Sequence, residues 1–188
     1  MTVGERIEKF KVILPFVPEN IINTLREKGF FTAPASAEHH GNYEGGLFDH
    51  SVSVAHTLEE LTIRNALIWK RPESPLIVGM FHDICKMDKY KRKIIGWTGR
   101  GGCGKTPIYG EEYEYTDDTL YKGHGDKSVI VLSSLFSLTP EEAACIRYHM
   151  GAFTDRGEWN YYTRAIQEFP NVLWTHHADM IASHIKGV

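Results

Sequence analysis

The run Leu76-Ile77-Val78-Gly79-Met80-Phe81-His82-Asp83-Ile84-Cys85-Lys86-Met87 sets an imidazole and a carboxylate inside a segment that is otherwise almost wholly apolar. A charged aspartate taken out of water costs several kcal/mol unless it is paired or bound to a cation. Any fold of this chain must therefore bring positive charge to Asp83. Ser74-Pro75, ahead of the run, has the form of an N-cap followed by proline at the first helical position, which predicts a buried helix. Adjacent helical residues diverge by about 100°, so one His-Asp pair can present a nitrogen and a bridging carboxylate to a site over the helix face. Taken alone, the pair also fits a hydrogen-bonded core histidine beside a capped aspartate.

Helical signals dominate the remainder. Residues 4–14 and 19–28 read as two short helices separated by Pro15 and Pro18, the second closed by Gly29, and together with the residues to 37 they form a helical lead-in. Residues 30–47 hold Pro34, Gly41, Gly45 and Gly46, show no period and read as a loop. From Phe48, the positions Val52, Ala55, Leu58, Leu61 and Ile63 predict a helix to about Lys70. Further helices are predicted over 124–137, over 140–149, opened by Thr139-Pro140-Glu141-Glu142, and over 169–185. The stretch 88–123 carries five tyrosines and many glycines without an amphipathic period; it reads as a long loop or a small β-hairpin, with strands at 92–97 and 107–115. The expectation is an all-α helical bundle with one insertion around 88–123, in a single domain over 1–188.

At 188 residues a domain buries roughly 70% of its unfolded surface and needs no covalent staple. No stretch approaches the roughly 18–20 apolar residues of a membrane span, and the N-terminus has no apolar signal region; a soluble, cytoplasmic protein without a membrane partner is expected. Cys85, Cys103 and Cys145 form no C-x-x-C pair, which argues against a disulfide framework or a thiolate zinc site. A net charge of −3 excludes a globally basic nucleic-acid binder but leaves the local patch Lys86, Lys89, Lys91, Arg92 and Lys93.

The unusual figure is ten histidines, the residue most often found on metals. His50 lies early in one predicted helix, His124 at the head of another, His149 near the end of a third, and Asp179 within the last. Each comes from a turn that could face a common centre with His82 and Asp83, as in metal sites built inside helical bundles. Four imidazoles and two carboxylates suit Mn, Fe, Co, Ni or Zn better than Mg or Ca, and the sequence does not choose among them. His177, two residues before Asp179, has the wrong helical offset to join it.

The order His50, His82-Asp83, Asp179, set in the phrases GGLFDHSVSV, GMFHDICK, GHGDKSV and IRYHMG, resembles the H…HD…D signature of the HD superfamily of metal-dependent phosphohydrolases. The resemblance covers roughly residues 38–184, and HHGNYEGGLFDHS is similar to the opening of the HD domain in bacterial 3′→5′ exoribonucleases. It implies an HD-type helical bundle in which His50, His82, Asp83 and Asp179 bind one metal, Asp83 bridges to a second, and His124 and His149 hold that second ion. It also implies substrate contacts from His39 and His40 in the preceding loop. The chain departs from the pattern in the long 88–123 segment and at Cys85, which replaces a small residue and is expected to alter only helix packing.

Two cations about 3.5–4 Å apart can hold a hydroxide in line with a phosphorus and neutralise its charge. The expected activity is metal-dependent hydrolysis of a phosphoester of a nucleotide or short nucleic acid by a metal-activated hydroxide, with Asp83 and Lys86 catalytic. Lys86, four residues after His82, and Lys127, three after His124, are the preferred substrate contacts; Arg147 is a weaker one. Tyr43, Tyr90, Tyr115 and Tyr121 could stack on a base. A mixed-valent di-iron oxygenase with the same ligand set and a non-catalytic metal or nucleotide binding module remain alternatives. Residues 99–106, GRGGCGKT, match the phosphate-loop expression G-x-x-x-x-G-K-[ST], but Pro107 and Gly110 exclude the helix that must follow.

Overall fold

A computed structural model describes residues 1–39, 41–98, 105–116, 120–121 and 123–188. Among these, eight α-helices and one antiparallel hairpin follow in the order α1 (Val3–Ile13), α2 (Glu19–Glu27), α3 (Gly46–Asn65), α4 (Ser74–Phe81), β1 (Tyr90–Thr98), β2 (Thr106–Tyr115), α5 (Gly125–Ser133), α6 (Pro140–Arg147), α7 (Trp159–Glu168) and α8 (Asn171–Ile181). The helical architecture with a hairpin insertion is as expected. β1 pairs with β2 from Tyr90↔Tyr115 to Thr98↔Thr106, and the register slips between Arg92 and Ile94 and again between Ile94 and Gly96. His40, Cys103 and the glycines of the phosphate-loop look-alike lie outside the described residues. β2 begins at Thr106, so a strand, not a helix, follows Lys105. No helix among the described residues is long and apolar enough to cross a membrane.

Several boundaries differ from the sequence pattern for local reasons. α3 stops at Asn65 and not near Lys70, because Ala66 takes left-handed backbone (φ 49°) and Leu67 N–H closes the helix on Thr62 O. Ser74 lies inside α4 and is not its N-cap; its hydroxyl donates to Glu142 Oε1 at 2.7 Å. At α6 the Thr139–Glu142 capping box forms as predicted, and Thr2 with Glu5 makes a second one at α1. α7 was not expected at all; its signal is the spacing of Tyr162, Ala165, Ile166 and Phe169, all of which pack on the core.

One continuous apolar core runs from Phe10 in α1 to Ala182 after α8. The rings of Phe10, Phe30, Phe31, Phe48 and Phe81 meet largely edge to face, with centroids 5.3–6.2 Å apart. Aromatic pairs of this kind add about 0.5–1.5 kcal/mol beyond area burial, which is how the loop after α2 is tied to α3 and α4. The buried Arg6 fastens the same loop by donating to Phe31 O at 3.1 Å and Glu44 O at 2.7 Å.

α3 and α4 pack closely and over the most extensive helix–helix contact among the described residues, and Gly79 permits it: a Cβ there would fall 2.3 Å from Ala55 Cα. That approach matters because α3 carries His50 and α4 leads into His82. Gly79→Ala is expected to cost roughly 1–3 kcal/mol or more by forcing the helices apart, read as a lowered urea midpoint. Val12→Ala on the exposed face of α1 should stay within about 0.5 kcal/mol. An unmoved midpoint for Gly79→Ala would show that the two helices do not approach this closely.

Candidate metal centre

α4 ends at Phe81, His82 closes it, and Asp83 leaves helical backbone (φ −107°, ψ 16°) for a 3-10 turn over Ile84–Asp88. The pair therefore does not sit inside a continuous helix as expected. A continuous helix would turn the two side chains apart; the break swings them onto one point, with His82 Nε2 3.5 Å from Asp83 Oδ2.

Four other elements deliver the remaining groups: His50 from the second turn of α3, His124 as the N-cap of α5, His149 just past α6, and Asp179 from α8. α5 and α6 can converge because Gly125 lacks a side chain; a Cβ there would sit 1.9 Å from Arg147 O. The structure brings all six predicted ligands together. Asp83 Oδ2 lies 3.7 Å from His50 Nε2 and 3.5 Å from His82 Nε2. Asp83 Oδ1 faces the other way, 2.5 Å from His124 Nε2 and 3.4 Å from His149 Nε2. Asp179 Oδ1 closes the first side, 3.2 Å from His50 Nε2 and 3.8 Å from His82 Nε2. His50 and His82 thus flank one oxygen of Asp83, with Asp179 closing on the same two imidazoles, and His124 and His149 flank the other.

The far ring nitrogens fix the tautomers. Nδ1–H of His82 donates to Gly79 O at 2.8 Å, that of His149 to Ile146 O at 2.7 Å, and that of His50 to Val188 O at 2.8 Å. The first two acceptors belong to last-turn carbonyls that a helix leaves unmatched. With Nδ1 protonated, each Nε2 turns a lone pair inward. His50 Nε2 and His82 Nε2 then stand 3.2 Å apart, and His149 Nε2 and Asp83 Oδ1 are buried without a hydrogen bond of acceptable geometry. Facing lone pairs repel unless a cation lies between them. Two donors about 2.1 Å from one ion and 90–110° apart would be separated by about 3.0–3.4 Å, close to what most of these pairs show. The buried His and Asp groups could hold a metal ion. His124 differs: its Nδ1 meets Cys85 Sγ at 3.4 Å, so Cys85 touches a candidate ligand and does more than alter helix packing.

Burial depresses His124 to about 4 despite the Asp83 carboxylate beside it, and it also lowers His82. At His149 burial acts the same way, but the hydrogen bond and charge of Asp83 outweigh it and the net direction is upward. One imidazolium here disfavours a second, since the His124 and His149 rings lie 5.0 Å apart. Burial would raise both carboxyls. Lys86, His124 and His82 overturn that at Asp83, and the His50 hydrogen bond and His82 overturn it at Asp179, so both are held below the ordinary carboxylate range. Burial opposes the charge on Lys86, but Asp83 raises its pKa and keeps it an ammonium.

The predicted substrate contacts divide. Lys86 Nζ lies 2.6 Å from Asp83 Oδ2, reaching it through 3-10 spacing and not along a helix face from His82. It lines a cleft of about 380 Å³ together with Asp83, His124 and Asp179. His39 lines the same cleft, its backbone N–H donating to Ser36 Oγ at 2.8 Å; His40 falls outside the described residues. Lys127 is buried against the Asp88 carboxylate, so its charge is spent on the fold. Arg147 lines a neighbouring cavity beyond His124 and is held by Asp126 and Glu158. Tyr90 and Tyr115 border the cleft, whereas Tyr43 is bonded to Asp49 at 3.0 Å. Lys89, named in the sequence only as one member of the basic patch, also lines the cleft, as do Met150, Phe153 and His176, which sequence reasoning missed; His176 Nδ1–H donates to His149 O at 2.9 Å. His177 is exposed, in keeping with its offset from Asp179.

In comparisons with known proteins, no family model, no curated protein and no solved structure matches this chain.

His82 and His124 have pKa values lowered from 6.5 by folding. The unfolded chain therefore binds more protons than the folded one between about pH 6.5 and 4, and their contribution is complete above 6.5 and lost as pH falls. His149 acts in the opposite sense, and the two depressed carboxylates reinforce the loss below about pH 3.8. The metal-free protein should accordingly melt at progressively lower temperature from pH 7 to pH 4, and bound metal should be released below about pH 5.5 as ligand imidazoles protonate. A melting temperature and metal content unchanged down to pH 4 would exclude this ligand set.

Proposed function

We infer that the centre holds two divalent transition metal ions and that the protein hydrolyses a phosphoester of a nucleotide or short nucleic acid. The observation that carries this reading is the division of Asp83: one oxygen turned to His50 and His82, the other to His124 and His149. A bridging carboxylate with separate nitrogen sets on its two sides is how a protein holds two ions close together. His50, His82, Asp83 and Asp179 would hold the first ion, and Asp83, His124 and His149 the second. Mn, Fe, Co, Ni and Zn all accept such donors. The HD resemblance of the sequence agrees with this arrangement.

When bound, a dinuclear metal pair supplies a water of lowered pKa and a positive field for the phosphate. The chain supplies the rest. Asp83 and Asp179 remain ionised, and His50, His82 and His149 keep their Nε2 lone pairs inward because backbone carbonyls hold the opposite protons. Lys86, an ammonium at the cleft wall, is placed to offset charge on a phosphate oxygen without leaving Asp83. In the reaction a water oxygen bonds to phosphorus, the bond from phosphorus to the ester oxygen breaks, and a proton from that water ends on the leaving alcohol. The cleft suits a nucleotide because a cation and two aromatic rings (Lys86, Tyr90, Tyr115) line it together with the apolar side chains of Met150, Phe153 and Met180.

The test is metal analysis of the purified protein alongside hydrolysis of bis(p-nitrophenyl) phosphate and a nucleotide panel. A chelator should abolish turnover, and Mn²⁺, Co²⁺ or Ni²⁺ should restore it. Asp83→Ala should lose more than about 100-fold in activity, beyond the 10–100-fold typical when only a supporting partner of a ligand is removed, together with bound metal. A metal-free protein of full activity, or an Asp83→Ala variant that keeps both metal and turnover, would overturn the reading.

A further inference from the structure

The basic run seen in the sequence dissolves into ion pairs once folded, with one exception. Lys86 is paired with Asp83, Lys91 with Glu114, Arg92 with Glu44, Lys93 with Glu112 and, from α5, Lys127 with Asp88. Lys89 makes no ion pair with a carboxylate among the described residues. Its ammonium instead lies 5.5 Å from the centroid of Tyr115 and 6.0 Å from that of Tyr90. Those two rings pack at 5.2 Å where the hairpin joins the bundle. Lys89 is half-buried and lines the same cleft as Asp83 and Lys86.

Its position is set by the backbone. Asp83, Lys86 and Lys89 follow one another at intervals of three through the 3-10 turn, where residues three apart eclipse and each step advances roughly 6 Å. Lys89 N–H donates to Lys86 O at 3.2 Å, and its own carbonyl accepts from Thr116 N–H at 3.0 Å, so the turn is pinned on both sides. The row runs outward from the candidate centre: a carboxylate, a cation that carboxylate neutralises, and a cation without a counter-charge among the described residues. A half-buried ammonium facing two ring faces gains some cation–π attraction, but it keeps its full charge for an anion entering the cleft.

We propose that the cleft takes substrates bearing two phosphate groups, one at the Asp83 centre beside Lys86 and the other held by Lys89 against Tyr90 and Tyr115. The inference rests on the phosphoester reading of the centre and narrows it to a nucleotide class. A compound with a single phosphate leaves Lys89 unused. The second phosphate could be the neighbour in a nucleoside diphosphate or could lie one nucleoside away in a 5′-phosphorylated dinucleotide. Lys89 is a specificity-determining residue in either case.

The experiment compares wild type, Lys89→Met and Lys89→Arg on bis(p-nitrophenyl) phosphate, a nucleoside monophosphate, a nucleoside diphosphate and a 5′-phosphorylated dinucleotide. It is paired with calorimetric binding of the monophosphate and of a methylene-bridged diphosphate to the protein as purified. Lys89→Met should raise KM at least tenfold for the two-phosphate substrate, leave kcat and bis(p-nitrophenyl) phosphate turnover within twofold of wild type, and weaken binding of the diphosphate but not the monophosphate. Lys89→Arg should restore most of the difference. Whichever two-phosphate compound responds identifies the spacing. Equal losses on all compounds, or no preference of wild type for a second phosphate, overturn the proposal. Absence of all hydrolysis sinks the phosphoester reading instead, and the binding comparison then still decides the role of Lys89.

Discussion

The buried carboxylate of Asp83 is the constraint around which the bundle is arranged. It is almost fully removed from solvent, and a lone charge in that position would cost the fold several kcal/mol. Lys86 supplies one compensating charge at 2.6 Å, but a single ammonium on one oxygen leaves the other oxygen facing two imidazoles. The histidine nitrogens gathered around the two carboxylates turn lone pairs towards one another, and His149 Nε2 and Asp83 Oδ1 are buried without a well-formed hydrogen bond. The elements bearing these groups are nevertheless gripped tightly, by Gly79 against Ala55 and Gly125 against Arg147. Packing therefore pre-pays for the repulsion among the donors, and the arrangement fits positive charge arriving from outside the chain.

Helix ends, more than helix faces, present the ligands. His82 follows the last residue of α4, His149 lies two residues past α6, and His124 precedes α5. An end offers what a face does not: carbonyls in the last turn that lack intrahelical partners. His82 and His149 each reach back three residues to such a carbonyl, and that one bond fixes both ring orientation and tautomer. The same economy satisfies an orphan acceptor and aims a lone pair. His50 and Asp179, which do come from helix interiors, need separate supports, the Val188 oxygen for His50 and the neighbouring imidazoles for Asp179.

The parts of this arrangement written in local chemistry were readable in the sequence. Six ligand candidates were marked by residue type and by polar groups in apolar company, and the structure gathers all six. The Thr139–Glu142 cap, the Gly29 stop and the hairpin were likewise visible, since each is decided within a few residues. What the sequence hid depends on contacts distant along the chain. The stop of α3 at Ala66 follows no helix-breaking residue. Ser74, with every local credential of an N-cap, is taken instead by Glu142 across the core. Lys127 has the right spacing from His124 to meet a substrate, but Asp88, 39 residues earlier, captures it. Lys89 presents the opposite case: nothing in the sequence separates it from Lys91 or Lys93, and only the folded pattern shows which cation of the run has no carboxylate partner among the described residues.

His124 stands apart from the other candidate ligands. Its three counterparts rest their Nδ1 protons on backbone oxygens, which are strong, fixed acceptors; His124 meets the sulfur of Cys85, a weak one. That thiol is pushed up to about 12 by burial and by Asp83, so it stays protonated. A neutral sulfur contributes little to the basicity of the imidazole and restrains its rotation less than a carbonyl would. Burial meanwhile lowers His124 to about 4, which keeps the ring neutral. The Asp83 Oδ1 side of the centre, served by His124 and His149, is thus built less rigidly than the Oδ2 side, where His50, His82 and Asp179 converge. An ion held beside His124 would therefore have one ligand less firmly fixed than those on the Oδ2 side, and that ligand also lines the cleft.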